Sequence, residues 1–188
     1  MRFLILKGRD PYRNLAVEEY LFRHAKEDVF LLWQNDPTVV IGKNQNAYAE
    51  LDLDYVRARG IRVARRITGG GAVYHDGGNI NYSVIAVGAA EGGLDFAPYT
   101  APILEALLHF GVRAELSGRN DLLVGDRKIS GNAQFRADGR VLHHGTLLYD
   151  SDLEVLSSAL RVDEEKLRAK SIRSHRSRVV NIRTLIET

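Results

Sequence analysis

The chain has 188 residues, 45% of them apolar, which suits one globular domain with a hydrophobic core. A formal net charge of +2 gives little support to a nucleic-acid partner, and zero cysteines exclude disulfides, thiolate metal sites and a cysteine nucleophile. The apolar run at 3–6 is too short for a signal-peptide core or a bilayer span, so the reading is a soluble cytoplasmic protein with no membrane partner.

In chain order, 2–7 reads as a first strand. Asn14 is the expected cap of a helix with Val17, Tyr20, Leu21 and His24 on one face. Short apolar strands are predicted at 29–33 and 38–41, separated by the turn formers Asn35-Asp36-Pro37. A helix over 53–59 is expected to end at Gly60, and 61–67 returns as a strand that runs into three glycines. Alternation over 80–86 predicts another strand, and 98–110 a helix carrying Ile103, Leu104, Leu107 and Leu108 on one side. Gly125-Asp126 signals a hairpin between 122–124 and 128–135, and Asp138-Gly139 joins that strand to 141–149. Two short helices are expected over 152–160 and 163–170. Strands cluster into hairpins instead of alternating with helices, so the predicted class is α+β with a mixed or mainly antiparallel sheet.

Three stretches carry chemistry. In Arg65-Arg66-Ile67-Thr68-Gly69-Gly70-Gly71-Ala72-Val73-Tyr74-His75-Asp76, the glycines free backbone N–H groups to approach an anion beside an arginine. Neighbouring arginines in a strand face opposite ways, so only one of the two lines such a site. Familiar phosphate loops do not fit. A P-loop needs glycine where Pro37 stands and a hydroxyl where Asn44 stands, and a dinucleotide fingerprint needs glycine at Tyr74. The second stretch runs from Ser117 to Asp121 and on through Lys128-Ile129-Ser130-Gly131. Here Lys128 is either a surface charge or a site cation, and Asp121 either holds a lysine, binds a nucleotide's metal or caps a turn. In the third, His143-His144-Gly145-Thr146, the histidines face opposite ways. Together with His75 they lack metal-ligand spacing, so no protein-ligated transition metal is expected. Trp33 is either a core aromatic or one wall of an apolar pocket. The basic stretch 161–183 reads as a solvated helical face or a surface for an acidic protein.

Together these segments resemble the lipoate–protein ligase family. The resemblance rests on Asn14-Leu15-Ala16-Val17-Glu18-Glu19, Trp33-Gln34-Asn35, Thr38-Val39-Val40-Ile41-Gly42, Arg65-Arg66 with 69–76, Gly118-Arg119-Asn120-Asp121-Leu122, Lys128-Ile129-Ser130-Gly131, His143 to Leu148, and Arg176-Ser177-Arg178-Val179. It implies a biotin/lipoate ligase-like catalytic domain, with mixed or antiparallel sheets flanked by helices, related to class II aminoacyl-tRNA synthetases. It implies that lipoate and ATP, with Mg²⁺ on the nucleotide, give lipoyl-AMP. The lipoyl group then passes to a lysine of a lipoyl domain, in 2-oxoacid dehydrogenase complexes or the glycine cleavage H protein.

By matching position, Lys128 is the catalytic lysine, touching acyl carbonyl and phosphate. Arg66 contacts the phosphate, and Gly71, Ala72, Val73 and Tyr74 form the adenylate loop. Trp33, Gly70 and His75 surround the lipoyl group. Asp121 joins the candidate nucleotide-binding set and His143 the candidate acyl-binding set. The resemblance further implies that 1–188 is a single catalytic domain lacking the family's C-terminal extension and accessory domain. Transfer from preformed lipoyl-AMP is then the part expected of this chain alone, with activation assisted by a separate accessory domain or subunit. The alternatives are an ATP-independent lipoyl or octanoyl transferase built around a lysine, and an idle lipoate-binding protein.

Overall fold

A computed structural model describes residues 1–89, 92–118, 120–160 and 178–186. The elements run β1 (Arg2–Ile5), α1 (Pro11–His24), β2 (Val29–Trp33), β3 (Thr38–Ile41), α2 (Ala47–Glu50), α3 (Leu53–Ala58), β4 (Arg62–Arg65), β5 (Val73–His75), β6 (Asn79–Val87), α4 (Ala97–His109), β7 (Glu115–Ser117), β8 (Asp121–Val124), β9 (Arg127–Ala137), β10 (Arg140–Leu148), α5 (Leu153–Ala159) and β11 (Arg178–Val179). The helix expected over 163–170 and most of the basic stretch 161–183 lie outside the described residues.

The larger sheet has the order β1-β2-β6-β10-β9-β8-β7, with β11 beside β9. Its β1–β2 and β9–β11 pairs are parallel and the rest antiparallel, the mixed α+β arrangement expected from the clustered hairpins. A smaller sheet, β4-β3-β5, contains one parallel and one antiparallel pair.

Side-chain alternation gives the large sheet two different faces. On one, Tyr82, Val84, Leu122 and Ile129 pack with Ile103 and Leu107 of α4. On the other, Val29, Ile85 and Leu142 pack against Phe22 of α1, and this face continues toward the smaller sheet. The smaller sheet has its own core, where Val39, Ile41 and Tyr74 meet Leu51, Val56 and Ala159.

Two helices differ from their expected faces. Asp10, not Asn14, caps α1 by accepting the Arg13 N–H at 2.9 Å, and Pro11 occupies the first turn, where its missing N–H costs nothing. The buried stripe is Pro11, Asn14, Glu18 and Phe22, while Tyr20 is 63% exposed. A reading by hydrophobicity passes over Asn14 and Glu18, which are buried because each is hydrogen-bonded. In α4 the inward positions are Thr100, Ile103 and Leu107, and Leu108 turns outward. Among the described residues, no helix is long and apolar enough to cross a membrane.

Candidate active site

A cleft with about 610 Å³ of empty space, open to solvent, lies between the two sheets on the α1 side. Its floor is one row across the large sheet. Trp33 on β2 pairs with Asn81 on β6, and Asn81 with Thr146 on β10. The Thr146 hydroxyl accepts the Gly131 N–H at 3.3 Å, and Gly131 on β9 pairs with Asp121 on β8. Paired residues share a face, so these side chains point the same way. Lys128 folds over Gly131, where a Cβ would sit 3.1 Å from its Nζ, and its ammonium bonds Asp121 Oδ1 at 2.9 Å. The cation therefore stands at one end of the row and the indole at the other, three strand spacings or about 14 Å away.

The smaller sheet supplies the roof, ending in the glycine loop. Arg65 and Arg66 part company as β4 ends. Arg65 is exposed and gives Nη1 to the carbonyls of Gly42, Lys43 and Gln45 at 2.9, 3.2 and 2.8 Å, pinning the turn after β3. Arg66 is buried and borders the cleft. Its Nε donates to Thr68 Oγ1 (3.0 Å) and Gly69 O (3.2 Å), Nη1 to Val40 O (3.1 Å), and Nη2 to Gly69 O and Gly71 O (both 2.7 Å). The guanidinium fork thus clamps the loop. Burial pulls its pKa down to about 10, opposed by the Glu18 carboxylate, so it is cationic at neutral pH. Of the three glycines only Gly70 needs to be glycine for its backbone, at φ +94° and against Arg66 Nη2. Gly69 and Gly71 face open space.

Behind the cleft runs a buried polar chain. Trp33 donates Nε1–H to Ser83 Oγ at 2.9 Å, and Ser83 donates to Glu18 Oε1 at 2.5 Å. Glu18 Oε1 also lies 2.9 Å from His144 Nδ1, and His144 Nε2 lies 2.8 Å from Thr68 Oγ1, which Arg66 contacts. The aromatic end and the anion loop are joined through α1. His75 sits edge-on to Trp33, ring centroids 5.9 Å apart. Burial first, then electrostatic repulsion by the nearby Arg66 and His144 side chains, lowers its pKa to about 3, so it is neutral at physiological pH.

A cation, a clamped glycine loop and an apolar wall in one cleft suit a ligand with an anionic head and an apolar tail. Comparison with known proteins agrees with that chemistry. The family model described as "Lipoyl protein ligase A/B catalytic domain" matches residues 10–188. The chain belongs to this family.

Among relatives, Lipoate-protein ligase LplJ of Bacillus subtilis is 48% identical over 180 residues, covering 95% of this chain and 54% of its own length. The chain therefore spans about half the length of the curated relatives it matches. A bi-partite lipoate protein ligase of Thermoplasma acidophilum, from a study that includes its E2 lipoyl domain, superposes with TM-score 0.80 at 35% identity, over 100% of this chain and 76% of that one. A lipoate-protein ligase A bound with ATP superposes with TM-score 0.79 at 30% identity, over 100% of this chain and 78% of that one. A biotin protein ligase from Aquifex aeolicus, at TM-score 0.51 and 13% identity, shares the fold alone.

In this lipoyl ligase-family domain the cleft brings together Trp33, Arg66, Gly70, Gly71, Ala72, Val73, His75 and Lys128, with Asp121 reaching it through Lys128. Of the roles open to Asp121, the geometry shows the one of holding a lysine. Two candidates fall elsewhere. Tyr74 alternates away from its neighbours into the core of the smaller sheet, where burial, then nearby carboxylates, raises its pKa to about 12. His143 is on the α4 face, stacked on Tyr99 with ring centroids 5.2 Å apart and bonded to Gln134 Nε2 at 3.0 Å. Its neighbour His144 is the one that borders the cleft.

Of β2 and β3 only Trp33 and Val40 line the cleft, because Val29, Leu31, Val39 and Ile41 are fully committed to cores. Glu18, Thr68, Asn81, Asn120 and Asn132 stand in or behind the cleft, though their residue types signal no role in the sequence. Glu18 and Asn120 lay inside quoted motifs, which was the one signal available for them. Among the described residues, no group of three or more His, Cys, Asp or Glu is placed to hold a metal ion.

Proposed function

We propose that residues 1–188 act as one lipoate–protein ligase catalytic domain in the cytoplasm. The observation that carries this reading is the single row that sets Lys128 at one end of the cleft and Trp33 at the other, with the Arg66-clamped loop also lining the cleft. The carboxylate oxygen of lipoate attacks the α-phosphorus of ATP, pyrophosphate leaves, and a mixed anhydride, lipoyl-AMP, results. An acceptor lysine amine then attacks the anhydride carbonyl, the C–O bond to phosphate breaks, and AMP departs as an amide forms. Both steps concentrate negative charge on oxygen, which fixed cations and N–H dipoles stabilise in advance. Lys128 serves the carbonyl and phosphate as an ammonium and is not a nucleophile. Arg66 adds charge at the phosphate and holds Gly69–Gly71 so that loop N–H groups are pre-aimed.

The names of the relatives support lipoate and ATP as substrates and a lipoyl domain as acceptor. Lipoyl domains of 2-oxoacid dehydrogenases and the glycine cleavage H protein both present such a lysine. Mg²⁺ accompanies the nucleotide in this reading, and Asp121, bound to Lys128, is the carboxylate at that end of the cleft.

The test incubates the chain with a lipoyl domain and either lipoate plus Mg-ATP or synthetic lipoyl-AMP, then weighs the product. A mass gain of one lipoyl group from both donors is expected of a self-sufficient ligase. A gain from lipoyl-AMP alone assigns the chain the transfer half, with activation assisted by a separate accessory domain or subunit. No gain from either rejects the ligase reading, and a gain from an acyl-carrier thioester without ATP replaces it with a transferase.

A further inference from the structure

The two adjacent arginines at the end of β4 act on different partners, and between them they aim the glycine loop. Arg66 grips Gly69 O and Gly71 O from one side with the same Nη2. The carbonyl between them, Gly70 O, lies instead on Gly42, the buried residue that follows β3. A Cβ on Gly42 would overlap Gly70 O and stand 3.2 Å from the carbonyl carbons of Gly69 and Gly70. Backbone does not yield as the end of a long side chain does, so this approach requires a residue without a side chain. In a planar trans peptide the C=O and the following N–H point opposite ways. With Gly70 O against Gly42, the Gly71 N–H is turned away from it, to the exposed side of the loop. Among the described residues that N–H has no hydrogen-bond partner.

The turn under the loop is itself held. The Gly42 N–H goes to Gln45 Oε1 at 2.8 Å, and the Gln45 N–H returns to Gly42 O at 3.1 Å. The Lys43 N–H reaches Thr68 O at 2.8 Å, tying the turn to the start of the loop. Arg65 lays Nη1 on the carbonyls of Gly42, Lys43 and Gln45. One arginine therefore holds the loop, and its neighbour holds what the loop lies on. We propose that Gly42 and Arg65 are positioning residues for the reaction, acting through the Gly70–Gly71 peptide, whose N–H they aim at developing negative charge. The inference rests on the ligase reading above for what that N–H meets, an oxygen of the phosphate or of the anhydride. A fixed N–H dipole stabilises such an oxygen with no reorganisation at the moment of reaction. A methyl group on residue 42 must tilt that peptide and withdraw its N–H, leaving Lys128 and Trp33 on the large sheet untouched.

The experiment follows Gly42→Ala in single-turnover transfer from lipoyl-AMP to a lipoyl domain. A slowing of about 10–100-fold at saturating lipoyl-AMP is expected, since misplacement by about 1 Å costs on that order. Lipoic acid binding, read by calorimetry, should be unchanged, because Lys128 and Trp33 keep their places. Transfer at the unaltered rate overturns the proposal, and so does an equal loss of lipoic acid binding, which would mark general damage. Arg65 is exposed, so its variants are expected to spare the fold. Arg65→Ala should slow transfer about tenfold. Arg65→Lys should recover most of that rate, because an ammonium has three donors for the same three carbonyls. Equal rates in these two variants overturn the role of Arg65.

The backbone amide signal of Gly71 gives a readout free of turnover. In the unaltered chain it is expected to shift on addition of AMP, and in Gly42→Ala to lose that response. An equal response in both overturns the proposal. If AMP moves no loop signal in the unaltered chain, the ligase reading falls. The aiming of the peptide is then judged on the free chain, where Gly42→Ala must displace the Gly71 signal, and an unmoved signal overturns it.

Discussion

Lys128 and Arg66 are both cations at one cleft, but they work under different physical constraints. Lys128 is a quarter exposed and shares its charge with an Asp121 that is a third exposed, so solvent screens the pair. Lys128→Ala is expected to change folding stability by less than about 1 kcal/mol. On the proposed ligase reading, the same substitution is expected to slow whichever of adenylation and transfer the chain performs by about 10²–10³-fold, because it removes a fixed charge where negative charge develops. Single-turnover transfer from lipoyl-AMP, run beside urea unfolding, checks both halves, and near-full transfer would remove Lys128 from its central role.

Arg66 is buried, and four of its N–H groups hold backbone carbonyls, the Nε–H shared with the Thr68 hydroxyl. Lysine keeps the charge but not the fork. Arg66→Lys should therefore free the glycine loop and slow transfer by about 10–100-fold through misplacement of the loop N–H groups. Transfer at the unaltered rate would mean that the clamp is dispensable.

At the scale of elements, α1 does more than cover the sheet. It carries Asn14, which orients Asn35 and His75, and Glu18, which joins Ser83 and His144. Its start is fixed by Asp10, so Asp10→Ala is expected to cost about 1 kcal/mol and Asp10→Asn only a fraction of that. Urea unfolding of the two variants tests the cap, and equal losses would point instead to the 3.5 Å contact of Asp10 with Arg62. Most strands were legible in the sequence because alternation and the Gly125-Asp126 and Asp138-Gly139 turns are local signals. The face of α1 was not. Its inward positions include an amide and a carboxylate, and their burial depends on partners 21 to 126 residues away in the chain.

For the molecule as a whole, two buried neutral histidines make stability depend on pH. His75 and His143 are held at about 3, by burial first and by electrostatic repulsion from nearby side chains second. Unfolded, each titrates near 6.5, so between about 3 and 6.5 the unfolded chain binds more protons. The stabilisation is full above 6.5 and is lost as pH falls through that window, by roughly 1.4 kcal/mol per pH unit for each histidine. Urea unfolding at pH 7 and pH 5 should show this loss, and His143→Gln should make the slope shallower. A pH-independent stability would contradict the burial of neutral rings.

By itself the sequence determined the chemistry on offer: a glycine loop beside two arginines, a lysine in a small-residue hairpin, one indole, and an order of motifs that marks the family. Only the tertiary structure decided which of these meet. His144 and not His143 faces the cleft, and Tyr74 turns into a core. Alternation along a strand tells that neighbours point opposite ways, but not which way is inward. That choice is made by which layer covers each face, α4 on one and α1 with the smaller sheet on the other, through contacts between residues far apart in the chain.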